Sequence, residues 1–180
     1  MAEVSEDATL LIATSWQALG RAVEGDEKAS VVNCAVVIVF AGFFVEANLN
    51  HILEALGRQA DMEDFFKPSK PGLQQKLGWY YSEYAASSKA TNKEALNVEV
   101  FRRELLARFP GFEEIYRFRN DVAHGHIDRS LTNLIDAKRL RDYSKAIVDD
   151  LFGIAQARGR EIPRLVTYDM AISSQVNQEG

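Results

Sequence analysis

The sequence predicts an all-α protein, a bundle of about five to six helices that includes one long buried helix. Apolar residues recur at helical spacing in residues 8–23 and again in residues 134–158. Residues 27–56 contain no proline, and their middle, residues 31–45, is apolar apart from Asn33. The composition, with 47% hydrophobic and 26% charged residues, is typical of a globular protein.

The first part of the chain provides two of these helices. An amphipathic helix is predicted over residues 8–23, and Gly25-Asp26 separates it from a second helix that continues to about Leu56. Residues 36–40, Val-Val-Ile-Val-Phe, could instead form a strand, since β-branched residues favour strands. A membrane span is another alternative, but the fifteen apolar residues 31–45 fall short of the roughly 20 that a bilayer requires. The length of the helical pattern favours a helix that is buried on nearly all sides.

Loops and a further helix follow. Residues 57–70 are polar, and Lys67-Pro68-Ser69-Lys70-Pro71-Gly72 is the clearest loop in the chain. Residues 73–86 are predicted to form a helix, and a second loop is expected at residues 87–92. The helix carries four aromatic side chains that could pack in a core or a dimer interface, or stack on RNA bases. They are Trp79, Tyr80, Tyr81 and Tyr84.

The second half of the chain contains three predicted helices. They cover residues 98–109, 112–124 and 134–158, and Pro110-Gly111 ends the first of them. We expect residues 1–158 to form a single domain, because a chain of 180 residues can bury one core without covalent cross-links. Residues 159–180 are expected to form a C-terminal arm.

A motif whose side chains could take part in catalysis lies where the helix that begins near Phe112 should end. It reads Arg119-Asn120-Asp121-Val122-Ala123-His124-Gly125-His126, and Gly125 is predicted to follow the helix end. Asn120 and His124 are four residues apart and share a helix face, and the long Arg119 can reach the same cleft. Arginine binds phosphate oxygens and histidine transfers protons, so the pattern suits chemistry on a phosphate. An ordinary helix cap is the alternative interpretation.

The string Arg119-Asn120-x-x-x-His124-Gly125 resembles the signature of the HEPN superfamily, the higher eukaryote and prokaryote nucleotide-binding domains. That signature is an arginine, a polar residue that is often asparagine, three further residues and a histidine. The resemblance implies an all-α bundle that usually forms a homodimer and covers most of residues 5–158. Its catalytic members are metal-independent endoribonucleases whose two motifs form one composite site. By this resemblance Arg119, Asn120 and His124 are the catalytic residues.

One position departs from the toxin members of this family that pair with a nucleotidyltransferase antitoxin. Those proteins have a tyrosine two residues after the histidine, where this chain has His126. The resemblance therefore does not imply control by modification of such a tyrosine. The chemistry assigned to Arg119 and His124 is unaffected.

Glu46 is the first charged residue after the apolar run, and Asn50 lies one turn further along the same helix face. A buried carboxylate requires a partner, and Arg119 is the predicted one. Glu46, with Asn50 beside it, would then orient the arginine. HEPN domains often place a polar residue of an early helix near the motif, which agrees with this prediction. The alternative is an ordinary glutamate at the exposed end of a helix.

Charge is distributed unevenly along the chain. The formal net charge is −5, yet residues 67–145 hold 15 basic and 10 acidic side chains. An acidic protein binds nucleic acid poorly without a specific site, so we expect a groove for a few phosphates rather than a surface for a long duplex. The alternative is a solvated helix face of mixed charge. The RNA-binding candidates are Arg102, Arg117, Lys138 and Arg141.

Other chemistries lack their motifs in this sequence. There is no phosphate-binding glycine loop, no dinucleotide fingerprint and no His-Glu-x-x-His zinc motif, so we expect neither a metal nor another cofactor. The single cysteine, Cys34, cannot form a disulfide within the chain and is expected to be a small buried residue. Residues 1–9 are acidic, unlike a secretory signal, so we expect a cytoplasmic protein without membrane association.

Two functional hypotheses follow from these patterns. The first is a toxin or defence endoribonuclease that cleaves single-stranded RNA by attack of the ribose 2′-hydroxyl at a composite dimer site. Its partners would be RNA, a second copy of the chain, and an antitoxin or another protein. The second is a non-catalytic HEPN-like module that binds a nucleotide, RNA or a partner protein. The dimer geometry and the surroundings of His124 discriminate between them: a His124 exposed in a basic cleft favours the first, and a His124 buried against a backbone carbonyl favours the second.

Overall fold

The computed structural model describes three parts of the chain: residues 27–84, 105–126 and 134–164. Most of these residues are helical and none of them lies in a strand, so the protein is all-α as the sequence predicts. The helix predicted at residues 8–23 and the loop predicted at residues 87–92 lie outside the described residues.

Five helices have defined bounds: α1 (Glu27–Ala55), α2 (Gln59–Phe66), α3 (Leu73–Tyr84), α4 (Phe112–Ala123) and α5 (Leu134–Ala157). Residues 105–108 form a further short helical segment within the helix predicted at 98–109. The helices α1, α3, α4 and α5 confirm the predictions made from apolar periodicity. The helix α2 was not predicted, because it is short and polar and because Arg58, which precedes it, provides no side-chain cap.

The helix α1 is the long helix that the sequence predicts, but it is buried along one side rather than on nearly all sides. It includes residues 36–40, so the alternative of a strand there is wrong. Two of its large apolar side chains, Val32 and Phe43, are 62% and 38% exposed. By length and composition Val31–Ala55 could cross a membrane, with half of its most apolar window buried inside the protein, but core helices of water-soluble proteins meet the same criterion. Buried side chains recur every three to four residues along α1: Cys34, Val37, Ile38, Ala41, Phe44, Val45, Leu49 and Ile52.

The described residues divide into two compact units, and both α1 and α5 contribute to each of them. Unit 1 comprises residues 27–44, 114–126, 134–144 and 163–164. Its core contains Cys34, which is fully buried as predicted. Other buried side chains of unit 1 are Ile38, Phe118, Ala137 and Leu140.

Unit 2 comprises residues 45–84, 105–113 and 145–162. Among the described residues, it holds most of the largest fully buried side chains, including Leu49, Met62, Leu77, Tyr80 and Leu151. The single domain at residues 1–158 and the C-terminal arm stay predictions.

Candidate functional site

The motif lies at the carboxyl end of α4, where the chain turns at Gly125. The φ angle of Gly125 is +76°, a left-handed conformation that glycine adopts at little cost. The N–H of Gly125 donates to the carbonyl oxygen of Val122 over 3.0 Å, and the N–H of His126 donates to that of Asp121 over 2.8 Å. These bonds satisfy two carbonyls that a helix end otherwise leaves unpaired. The helix end predicted at Gly125 is therefore confirmed.

His124 is the last residue before this turn, and its side chain is exposed. Its backbone N–H donates to the carbonyl oxygen of Asn120 over 3.0 Å, which is the bond that joins residues one turn apart in an α-helix. Asn120, which is half-buried, and His124 therefore share a face of α4. His126, beyond the turn, is also exposed. A ligand in solvent can reach the imidazole of His124, as the catalytic hypothesis requires.

The side chain of Arg119 lies against α1. A Cβ atom added to Gly42 would lie 3.1 Å from both Cγ and Cδ of Arg119, which is tighter than most Cβ contacts in proteins. The guanidinium carbon of Arg119 lies 4.9 Å from the centroid of the Phe43 ring, within the range of a cation–π interaction. Two neighbouring residues of α1 therefore lie close to this arginine.

The other predicted RNA-binding residues have different surroundings. Arg117 and Lys138 are exposed, as a phosphate contact requires. Arg141 forms an ion pair with Asp142, with 2.7 Å between Nη2 and Oδ1, so a carboxylate already opposes its charge. Arg102 lies outside the described residues.

Glu46 and Asn50 contact Lys76 of α3 within unit 2. The Nζ of Lys76 donates to Oε1 of Glu46 over 2.9 Å and to Oδ1 of Asn50 over 3.1 Å. The side chains of Lys76 and Glu46 are 13% and 23% exposed, so the ion pair is partly buried. The sequence placed Glu46 and Asn50 on one face but gave no sign of Lys76. The pairing of Glu46 with Arg119 stays a prediction.

The aromatic cluster of α3 packs in the core of unit 2. Trp79, Tyr80 and Tyr81 are buried, so the core interpretation is confirmed for them and base stacking is wrong. The Tyr80 hydroxyl donates to the carbonyl oxygen of Leu151 over 2.8 Å, and the Tyr81 hydroxyl donates to Oδ2 of Asp150 over 2.7 Å. Burial raises the pKa of both phenols, and the hydrogen bond to Asp150 raises that of Tyr81 further. Packing accounts for these perturbed groups without a role in chemistry.

Gly42 and Phe43 were not predicted as site residues, although the sequence contained a signal for one of them. Glycine is less favourable than most residues inside a helix, so Gly42 in the middle of α1 indicates a close approach by another group. The sequence did not indicate which group that would be. Phe43 carried no signal of its own, because it lies among other apolar residues.

The described part of unit 1 thus offers a guanidinium, an amide and an imidazole at one helix end. Such a set can bind an anionic group and transfer a proton to or from it. Comparisons of the chain with models of protein families, with curated proteins and with solved structures found no match.

Proposed function

We propose that this protein is a metal-independent endoribonuclease of the HEPN type that cleaves single-stranded RNA in toxicity or defence. The observation that carries the proposal is the exposed imidazole of His124 at the helix end that also bears Asn120 and Arg119. The all-α fold and the order Arg-Asn-x-x-x-His support the same reaction class by resemblance.

Each motif residue has a role in the proposed reaction. Arg119 binds the scissile phosphate and stabilises the negative charge that develops on it. The ribose 2′-oxygen attacks phosphorus as its proton passes to a base, while the bond to the 5′-oxygen breaks and that oxygen takes up a proton. His124 accepts or supplies one of these protons, and Asn120 positions the phosphate or the imidazole. The products end in a 2′,3′-cyclic phosphate and a 5′-hydroxyl.

The proposed active form is a homodimer, because two copies of the motif would form one composite site. The cleavage rate per protomer should then fall when the protein is diluted below the dimer dissociation constant. A rate per protomer that stays constant across that range would contradict the shared site.

A binding module without catalysis is the second candidate. The exposed ring of Phe43 beside the guanidinium of Arg119 favours it, because an aromatic ring and an arginine together bind nucleotides without reacting. In this function the motif would hold a nucleotide or an RNA end, and a partner protein would act on it or be recruited by it.

The test is cleavage of an end-labelled single-stranded RNA in the presence of EDTA. The native protein is compared with His124→Ala and Arg119→Ala, and His126→Ala is the matched control because it removes a second exposed imidazole at the same helix end. Cleavage by the native protein and the control, but not by the other two variants, supports the proposal. The products should carry the cyclic phosphate.

Other results would favour or exclude the alternatives. RNA binding without cleavage by the native protein would favour the binding module. Neither binding nor cleavage would contradict RNA as a ligand of the free protein and would direct the search to a protein partner. Cleavage that EDTA abolishes would contradict a metal-independent reaction, and cleavage that persists in His124→Ala would contradict the role of that residue.

A further inference from the structure

We propose that α1 carries the surface through which two copies of this chain associate, with the two α1 helices packed side by side in antiparallel orientation. The surface lies in unit 1 and consists of four side chains, which we call the α1 seam: Val32, Val36, Val39 and Phe43. The inference rests on the proposed function in one respect, which is that the two motifs of the dimer share a site. The pairing of the seams does not depend on it.

The α1 seam is apolar and partly open to solvent. Its two ends, Val32 and Phe43, are 62% and 38% exposed, and the two valines between them are half-buried. The fully buried side chains of α1 lie on the opposite side of the helix. Residues 32–43 contain no charged side chain, although the solvent side of a helix in a globular protein is normally polar. An apolar outer side of this kind indicates a contact with another molecule.

The spacing of the seam is that of a contact between two helices. Its positions follow one another at intervals of four, three and four residues, the repeat by which two α-helices pack side by side. The intervals are the same when read from either end, so the seam can pair with itself about a two-fold axis. In the antiparallel pairing, Val32 lies against the partner's Phe43 and Val36 lies against the partner's Val39. A large ring therefore meets a smaller side chain at each end, and no charges are opposed.

A lipid bilayer fits the seam less well than a helix does. The seam is about 16 Å long at 1.5 Å per residue, against roughly 30 Å for the hydrocarbon core of a membrane. The rest of the apolar stretch Val31–Ala55 includes Glu46 and Asn50, which accept hydrogen bonds from Lys76. A helix lying flat on a membrane usually carries basic side chains beside its apolar face, and residues 32–43 have none.

The seam adjoins the motif. The guanidinium carbon of Arg119 lies 4.9 Å from the centroid of the Phe43 ring, at one end of the seam. Pairing of two seams therefore brings the Arg119 of each copy to the edge of the interface, as a shared site requires. The partner's Val32 would also cover the ring of Phe43. That ring is then less open to a nucleotide than the binding module without catalysis needs.

The first test measures the mass of the full chain in solution by sedimentation velocity. Val36→Asp and Val39→Lys each place an unpaired charge in the seam, so each should raise the dimer dissociation constant about 100-fold or more. An equimolar mixture of the two variants should dimerise again, because the antiparallel pairing brings the opposite charges together. Ile135→Asp is the matched control, since Ile135 is a 78% exposed apolar residue of the same unit, and it should leave the mass unchanged.

The second test determines the orientation of the two helices by disulfide cross-linking. Cys34 is replaced by alanine to remove the native thiol, and Val36→Cys and Val39→Cys chains are then oxidised separately and as a mixture. In the mixture, cross-links between the two variants should exceed the half that random pairing would give. A preference for cross-links between identical variants would indicate parallel helices and overturn the antiparallel pairing.

The remaining outcomes separate this inference from the proposed function. A dimer that persists in both charge variants would place the interface elsewhere and leave the proposed nuclease intact. A native monomer would overturn the inference, and RNA cleavage by that monomer would still support a nuclease. Charge variants that lose stability to urea without a change of mass would show that the same chain covers the seam. Co-sedimentation of the native protein with phosphatidylcholine vesicles, lost in Val36→Asp, would assign the seam to lipid; either result would overturn the inference.

Discussion

The two units of this protein use charged and polar side chains in different ways, and unit 2 uses them to complete its core. The ammonium group of Lys76 donates a hydrogen bond to Glu46, and the hydroxyl of Tyr81 donates one to Asp150. These residue types are common in active sites, and the tyrosine has a strongly perturbed pKa. Both hydrogen bonds join residues of unit 2, so these groups contribute to its stability.

Unit 1 presents its candidate groups differently. The imidazole of His124 is exposed at the end of α4, and the side chain of Arg119 lies beside Gly42 and Phe43 of α1. Residue type alone does not distinguish these candidate site residues from the hydrogen-bonded polar residues of unit 2. Exposure does, because His124 is exposed whereas Tyr81 and Lys76 are largely buried.

Histidine substitutions in the two units should have opposite effects. His124→Ala should lower RNA cleavage about 100- to 10,000-fold, because a positioned acid or base contributes that much, and should change the free energy of unfolding by less than about 0.5 kcal/mol. His51 of unit 2 is half-buried, with its ring centroid 6.4 Å from that of Phe152, so His51→Ala should lower stability by about 1 kcal/mol and leave cleavage unchanged. Cleavage rates and urea denaturation of both variants are the measurements. If both substitutions changed cleavage and stability to the same extent, the distinction between the two units would be wrong.

Alkaline pH should weaken unit 2 through its buried phenols. Because burial raises the pKa of Tyr80 and Tyr81, the folded protein keeps protons that the unfolded chain loses near pH 10. The contribution of these groups to stability is complete below that pH. Above it, the free energy of unfolding should fall by up to about 1.4 kcal/mol per pH unit for each tyrosine. Urea denaturation between pH 8 and 11 measures this slope, which Tyr81→Phe should reduce; an equal slope in that variant would contradict the prediction.

Double-mutant cycles can show whether Glu46 interacts with Lys76 or with Arg119. Glu46→Gln with Lys76→Met should give a coupling of about 0.5–3 kcal/mol in the free energy of unfolding, because the two residues form a partly buried ion pair. Glu46→Gln with Arg119→Met tests the pairing that the sequence predicts. The absence of coupling in the first cycle would contradict the ion pair, and its absence in the second would contradict the sequence prediction.

Alanine substitutions of two glycines inside long helices should change the free energy of unfolding only slightly. Gly153 of α5 is exposed and has open space where a Cβ would stand, so Gly153→Ala should raise the free energy of unfolding by about 0.5–1 kcal/mol. Gly42→Ala should not give this gain, because its methyl group meets Arg119. Urea denaturation compares the two variants. Equal gains would show that Arg119 moves aside at no cost.

The sequence predicts the helices and helix ends that are determined by residues close together in the chain. The long helix α1 followed from a proline-free apolar run, and the end of α4 followed from Gly125, whose left-handed φ confirms it. The helix α2 shows the limit of local pattern. It is a short segment without a side-chain cap at its start, and the burial of Met62 and Phe66 stabilises it.

The candidate site could be predicted only in part, for a related reason. The shared face of Asn120 and His124 follows from the period of one helix. The contact of Arg119 with Gly42 depends on how two helices pack, which the period of neither helix specifies. Lys76, 30 residues from its partner Glu46, was missed for the same reason.

The thiol of Cys34 can be used to measure local opening of the protein. It is the single thiol of the protein, and it is fully buried in the helix that also bears Gly42 and Phe43. Thiol reagents react with an accessible thiolate, so they can modify Cys34 only when its surroundings open. The rate of modification in the native protein therefore measures how often the packing around this part of α1 opens, without any introduced label.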